Sequence, residues 1–407
     1  MHETVASCEP KTMPARARTG IRFDRNELAG AFGDLGTFPL LIGMTLAAGL
    51  DGTSVLLMFG VMQLLTGLIY RLPMPVQPLK AMAALVIAEQ ASAATLYGAG
   101  LAIGLLMLVL ATTGLLEWLA RAVPRCVVRG IQFGLGLQLA SIALGKFVQA
   151  DGVSGYALAA CAFAITILLL GNRRLPAALP VLILGLAYAL IFHWQGELAD
   201  SFGFRLPRLH VPQLADVLTG LVVLALPQLP LSLGNSVLAT RQLAEDLFPQ
   251  RRLSAGKIGL TYALMNLVNP WFGGVPTCHG AGGMAGHFAF GARTGGSVII
   301  SGSLLIFFGL FFGAGFEHLV KVFPLPMLGV ILLFEALGMI WLVSETARSS
   351  SEFPIAMLVG LVAVWLPYGY AIGLLLGWAL FFLRSRTRLV SPDAVLQRPA
   401  DNSTTRC

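Results

Sequence analysis

Long uncharged apolar runs follow one another along this chain, separated by short polar stretches. Residues 91–116, 153–172, 175–192, 217–240, 258–278, 294–316 and 353–383 are the clearest. A bilayer core of about 30 Å takes roughly 20 apolar residues per straight helix, so each run is expected to be a membrane span. The last is too long for one crossing and carries Pro367-Tyr368-Gly369 at its middle, a turn signal that divides it into two short spans. Adding 28–50, 54–70, a short segment at 78–89, 127–144, a short segment after Cys278, and 324–343 predicts fourteen spans.

Composition agrees with this pattern and narrows the function classes. Of 407 residues, 56% are hydrophobic and 12% charged, and the mean hydropathy is +0.79, which excludes a water-solvated surface. Against 20 acidic residues stand 27 Lys and Arg, a net charge of +7 that in a soluble chain would suggest nucleic acid. Here charges so sparse belong to loops, where Lys and Arg record orientation, and nucleic-acid binding is set aside. With fourteen alternating spans and a cytoplasmic N-terminus, 22 of the cations fall inside, among them Arg71, Arg121, Arg125, Arg129, Arg173, Arg174 and Arg293. Only Lys146, Arg205, Arg208 and Lys321 fall outside, and Lys80 is left within the membrane region. One span more or fewer would invert every downstream loop, so the asymmetry supports both the number of spans and cytoplasmic termini. Residues 1–22 are polar and basic without the apolar block of a signal peptide, and the tail after Phe382 is too short to bury a core. The five cysteines lie far apart with no C-x-x-C spacing, which argues against a disulfide framework and a zinc site.

Two stretches put proline and polar residues where a helix should be crossing lipid: Pro73-Met74-Pro75-Val76-Gln77-Pro78-Leu79-Lys80, and Gly273 to Gly283 with Pro276-Thr277-Cys278-His279-Gly280 at its centre. Three prolines in six residues forbid a continuous helix, so an extended segment followed by a half-helix is predicted at each, as spans 3 and 10. Backbone exposed at that depth must be covered by protein or line a polar cavity. Each stretch has a matching partner upstream, Leu35-Gly36-Thr37 and Leu233-Gly234-Asn235, with Gly36 to Pro75 spanning 39 residues and Gly234 to Pro276 spanning 42. Seven spans separate the equivalents, so the copies insert with opposite topology, the inverted repeat of many secondary transporters. Two half-helix N-termini meeting near the midplane would aim free N–H groups and positive dipole ends at one point, an anion site. The alternative is that these glycines and prolines only kink helices or permit close approach.

Asp34 is a carboxylate inside an apolar span, the kind of residue that marks proton or ion pathways, or else it caps a helix or bonds a neighbouring one. Lys80 opens the first half-helix and would add to its field, unless it snorkels to an interface. Gln77, Thr37, Gln228, Ser232, Asn235 and Thr277 supply neutral donors at the four matching positions, suited as a set to an oxyanion that must be held and released, although any one of them could instead bond a neighbouring helix. His279 adjoins the second half-helix and is either an anion donor, a titrating group or simply hydrogen-bonded. His287 reads as structural. Glu335, mid-span in Leu333-Phe334-Glu335-Ala336, is a coupling carboxylate or a partner for Lys80 or for a gap in the backbone. Glu89 and Asp216 read as span ends, and 241–257 as a solvated cytoplasmic loop.

The segments Phe32-Gly33-Asp34-Leu35-Gly36-Thr37, Pro75-Val76-Gln77-Pro78-Leu79-Lys80, Pro227-Gln228-Leu229-Pro230-Leu231-Ser232-Leu233-Gly234-Asn235-Ser236 and Pro276-Thr277-Cys278-His279-Gly280-Ala281-Gly282-Gly283 resemble the signatures of the molybdate transporter family, which is related to the sulfate permease (SulP) anion transporters. The resemblance runs through nearly all of 27–385. It implies an all-α polytopic fold of fourteen transmembrane segments in two inverted seven-span repeats, 27–195 and 213–385, divided into core and gate domains. A tail at 1–26, an extracytoplasmic loop at 196–212 and a tail at 386–407 complete the expected organisation. The resemblance further implies uptake of a tetrahedral dianion at a site between spans 1, 3, 8 and 10, to which Pro78, Cys278 and Gly280 also belong. Residues 386–407 are too few for the STAS domain of sulfate permeases, and Leu79 stands where the family often has Met. Dimerisation is usual in the wider superfamily; no residue here dictates it.

The leading expectation is therefore a proton-coupled importer of molybdate in the cell membrane, with sulfate as the alternative substrate and no cofactor. A nucleobase symporter of the same fold would want a carboxylate in span 8 or 10, and 217–240 and 278–287 contain neither Asp nor Glu. An enzyme would need a nucleophile with its base or a metal set such as H-E-x-x-H, and the sequence has none; nor does it carry a P-loop.

Overall fold

The computed structural model describes residues 20–170, 172, 175–193 and 202–388. Lys11, Arg16, Arg18, the pair Arg173 and Arg174, part of the expected 196–212 loop and the tail from 389 onward lie outside the described residues.

Among the described residues, beside the short helix Leu115–Ala122 and several single turns, the chain forms fourteen helical segments, eleven of them apolar over ten residues or more. They are α1 (Arg25–Ala48), α2 (Gly52–Tyr70), α3 (Lys80–Glu89), α4 (Ala93–Thr112), α5 (Arg125–Phe147), α6 (Gly152–Leu168) and α7 (Ala178–Phe192), followed by α8 (Leu214–Leu247), α9 (Ala255–Val268), α10 (Ala281–Ala289), α11 (Gly296–Val322), α12 (Leu325–Thr346), α13 (Glu352–Trp365) and α14 (Gly369–Arg384). Seven of them, α1, α2, α4, α5, α8, α11 and α12, are by themselves long and apolar enough to cross a membrane. Two short strands, β1 (Gln77–Pro78) and β2 (Thr277–Cys278), precede α3 and α10.

Several boundaries differ from those read off hydropathy. The span expected at 28–50 is broken: a first turn ends near Ala31, a 3-10 turn runs Leu35–Thr37, and Asp34 sits in the break. The run 91–116 stops at Thr112 because Gly114 takes a left-handed conformation, and Leu115–Ala122 forms a separate helix. The run 258–278 ends as α-helix at Val268, where Asn269-Pro270 opens a 3-10 turn. The loop expected at 241–257 begins late, since Thr240–Leu247 continues α8. Pro227 and Pro230 lie within α8, whose flanking stretches Leu221–Ala225 and Ser232–Ala239 are π-helical, the local widening by which a helix accommodates lost i→i−4 bonds.

The helices associate as two groups. In the first, α2 lies along α11, α4 lies along α9 and the start of α8, and α1 touches both α3 and α11. In the second, α5 packs on α12 and α13, α6 on α12, and α13 on α14. In lipid no hydrophobic force pulls helices together, so close approach must supply dispersion contact. Gly60 and Gly302 do this where α2 crosses α11: a Cβ on either would come within 2.6 Å of the other's carbonyl oxygen. The two groups meet where α1, α3 and α8 face α5, α12 and α14.

Candidate functional site

The two extended segments cross at the centre of the first group. β1 and β2 pair antiparallel with Gln77 opposite Cys278 and Pro78 opposite Thr277, and the Leu79 amide donates to Pro276 O at 3.1 Å. Such a crossing leaves carbonyls that the ladder cannot reach, and each must find a donor in an apolar surround. Polar side chains on α2 and α9 provide them. Gln63 Nε2 reaches Val76 O at 3.4 Å and Thr66 Oγ1 reaches Met74 O at 3.2 Å. Asn266 Nδ2 donates to Thr277 O at 2.6 Å while its Oδ1 accepts from Thr277 N, and Asn269 Nδ2 donates to Val275 O at 3.0 Å. None of these four residues was singled out in the sequence; their signal is a polar pair spaced by three in an otherwise apolar span just upstream of a Pro/Gly break.

From this crossing α3 and α10 depart, each with its N-terminus at the strands. Ala83 is bonded back to Leu79 O at 2.8 Å, and Met284 to Gly280 O at 3.2 Å, so the amides before them open each helix. On α3, those of Ala81 and Met82 are accepted by Gln228 Oε1 from α8, at 2.9 and 3.2 Å. Gln228 Nε2 continues to Ser232 Oγ at 3.2 Å, and that hydroxyl to Tyr262 OH at 2.8 Å. Gln228 and Ser232 thus tie α8 to α3 and α9. On α10, Gly282 faces open space.

The charged groups converge on the same place. Lys80, 9% exposed, forms an ion pair with Glu335, which reaches over from α12. The snorkelling alternative for Lys80 is thereby excluded in this structure, and Glu335 is its partner. Asp34, in the α1 break, accepts from Gln77 Nε2 at 2.6 Å through Oδ1, while its buried Oδ2 has no protein partner. That oxygen lies against α10: a Cβ on Gly283 would fall 2.6 Å from it and 2.7 Å from Gln77 Nε2. Gly280 is equally constrained, because a Cβ there would collide with Gln77 Oε1. Cys278 is buried in the strand pair, opposite Gln77. At the far end of α3, Lys146 Nζ donates to Ile87 O and Ala88 O at 3.2 and 3.1 Å, so this cation, expected in an outer loop, caps a helix C-terminus.

The remaining candidates lie around these groups. Thr37 Oγ1 donates to Asp34 O at 2.9 Å, and Thr277 Oγ1 accepts from Asn269 at 3.2 Å. Both nitrogens of His279 are engaged, Nδ1 with Pro75 O at 3.1 Å and Nε2 with Thr261 Oγ1 at 2.8 Å. A carbonyl can only accept, so Nδ1 carries the proton, and the ring braces the first extended segment. Asn235 is half-buried on the π-helical stretch of α8, with its own carbonyl accepting from Thr240 at 3.1 Å. His287 is buried. Glu89 ends α3 and Asp216 lies in the first turn of α8, as expected. A cavity of about 430 Å³ between α2 and α9, walled by Met58, Met62, Leu65, Leu264 and Val268, has no charged lining residue, and Thr66 and Thr261 on its wall bond the extended segments.

Comparison with known proteins bears on this arrangement. The family described as "Molybdate transporter of MFS superfamily" matches residues 26–139 and 220–339, which contain every candidate residue. Molybdate transporter 2 of Arabidopsis thaliana is 34% identical over 93% of this chain and 91% of its own. Among solved structures, the transmembrane domain of the cyanobacterial bicarbonate transporter BicA superposes with a TM-score of 0.65 at 19% identity, over 87% of this chain and 97% of that one. The murine anion transporter Slc26a9 in its inward-facing state gives 0.66 at 13% identity, over 89% of this chain and 68% of that one. At such identities the likeness establishes the fold, a helical multi-pass membrane architecture of the SLC26 type.

Proposed function

This chain belongs to the molybdate transporter family, and on that premise we propose that it is a secondary active transporter importing molybdate at the crossing of β1 and β2. As a member of that family it is an anion transporter and not an enzyme. The observation that carries the site is the convergence of two helix N-termini, Lys80 and the Gln77 amide on one point between the two helix groups. Helix N-termini and an ammonium favour negative charge, and neutral amide and hydroxyl donors allow a tetrahedral oxyanion to be released again. In the proposed site Lys80, Gln77, Cys278, Gly280 and the first turn of α10 face the anion. Thr37, Pro78, Gln228, Ser232, Asn235, Thr277 and His279 shape it.

The fourteen segments are read as fourteen spans in two inverted repeats, 27–195 and 213–385, joined by an extracytoplasmic loop at 196–212, with both tails, 1–26 and 386–407, cytoplasmic. Reciprocal contacts support the repeat: α2 lies on α11 as α9 lies on α4, and the Gln63/Thr66 pair serves one extended segment as Asn266/Asn269 serve the other. The first helix group is then the core and the second the gate. Coupling is assigned to protons through Asp34 and Glu335, the two carboxylates at the crossing.

Uptake of labelled molybdate into cells or proteoliposomes, with sulfate as competitor, tests the substrate. Potent sulfate inhibition without preference for molybdate would replace molybdate by sulfate. For the coupling, uptake is expected to fall as external pH rises, and Asp34→Asn or Glu335→Gln to flatten that dependence; wild-type profiles in both variants would remove proton coupling through these residues.

A further inference from the structure

The crossing holds two carboxylates, Asp34 and Glu335, against one ammonium, Lys80, a set whose net charge is −1 when all are ionised. A dianion added with both carboxylates ionised and in place would bring the set to −3 among groups poorly screened by solvent, which repulsion opposes. For the anion to reach the Lys80 ammonium, Glu335 must leave it, withdrawing as the anion enters or taking up a proton. Asp34 is fixed from its own helix group by Gln77, whereas Glu335 reaches across from α12 in the other group. Its side chain is 25% exposed against 10% for Lys80, so it enters from the more open wall. The neighbouring backbone leaves it room, since even a Cβ on Gly36 would stand 3.7 Å from Oε2.

We propose that Glu335 is the specificity-determining residue of this site: a tethered counter-anion that occupies Lys80 until a doubly charged oxyanion displaces it, and that thereby excludes monovalent anions. The proposal rests on the oxyanion reading above and deepens it. A carboxylate held on a neighbouring helix competes at an effective concentration on the order of millimolar or more, at no cost of association. A monovalent anion offers Lys80 no more charge than Glu335 does, and it must also lose its freedom of motion, so it does not displace the carboxylate. A dianion can satisfy Lys80 with one charge and the opening amides of α10 with the other. Displacement also removes the tie between α3 and α12, so occupancy and release of the second helix group are linked through one side chain.

The test is equilibrium binding of radiolabelled molybdate to the purified full chain in lipid nanodiscs, with nitrate and chloride as competitors. Wild-type protein is expected to bind molybdate and ignore both monovalent anions. Glu335→Gln is expected to bind molybdate about tenfold more tightly and to be competed by nitrate. Glu335→Asp, which keeps the charge but withdraws it by one methylene, gives a smaller change of the same sign and serves if the amide variant does not fold. If neither variant binds any anion more tightly than wild type and nitrate still fails to compete, the filter is wrong, whatever wild type binds. If wild type binds no labelled molybdate or sulfate, and direct binding of labelled nitrate appears in Glu335→Gln but not in wild type, the filter stands and the substrate reading fails.

Discussion

Gln77 Nε2 donates to Asp34 Oδ1 at 2.6 Å, joining the first extended segment to the break in α1. A hydrogen bond to a charged group contributes about 1.5–3 kcal/mol, and more is lost when a buried carboxylate is left alone. Gln77→Ala is therefore expected to lower both thermal stability and molybdate uptake. Asp34→Asn keeps an acceptor for Gln77, so stability should be largely retained while the dependence of uptake on pH disappears. Thermal unfolding in detergent beside an uptake profile separates the two; equal destabilisation in both variants would make Asp34 a structural residue only.

Gly283 and Gly282 are neighbours with opposite surroundings. A methyl at Gly283 would press on Asp34 Oδ2 and Gln77 Nε2, whereas one at Gly282 meets nothing within 4 Å. Gly283→Ala is expected to cost about 1–3 kcal/mol as an overpacked buried site and to abolish uptake, while Gly282→Ala keeps wild-type stability. A thermal shift assay on the pair checks this.

Much of this site was legible in the sequence because its features are punctuation. Prolines at 73, 75 and 78 and the glycines from 273 to 283 forbid helix, and the structure places extended segments and half-helices there. Lys80 and Glu335 stood out because charge in an apolar run is rare. What stayed hidden depends on which atoms face each other after folding. Gln228 reads as an anion donor or as a bond to a neighbouring helix, and its carbonyl takes two α3 amides; His279 reads as an anion donor, a titrating group or simply hydrogen-bonded, and both its ring nitrogens are engaged. Hydropathy also could not show the break in α1, since the residues flanking Asp34, from Leu28 to Gly33 and from Leu35 to Leu50, are free of charge on both sides.

Asn266 and Asn269 follow from that argument. Each satisfies carbonyls of β2 or of the residues before it that no other group reaches across the strand pair. Replacing Asn266 by Leu leaves Thr277 N and O without their side-chain partner, at about 1–3 kcal/mol for each buried group. The expected result is a marked fall in unfolding temperature, larger than for Asn269→Leu. Gln63→Leu on α2, whose bond to Val76 O is long at 3.4 Å, should cost least.

Glu27 provides the contrast that gives Asp34 and Glu335 their meaning. It is fully buried on α1, yet its oxygens accept the amides of Arg293, Thr294 and Ser297 at 2.9, 2.8 and 2.9 Å, so it caps the start of α11 and fastens α1 to it. With three amide donors on its two oxygens, Glu27 is committed to holding α1 against α11. Glu27→Gln retains one acceptor oxygen and introduces an NH₂ among donors, so the expected outcome is a loss of stability of about 1–3 kcal/mol. In protein that remains folded, the pH dependence of uptake and the affinity for molybdate should match wild type. If Glu27→Gln instead flattened the pH profile as the Asp34 and Glu335 substitutions are expected to do, coupling would have to be relocated away from the strand crossing.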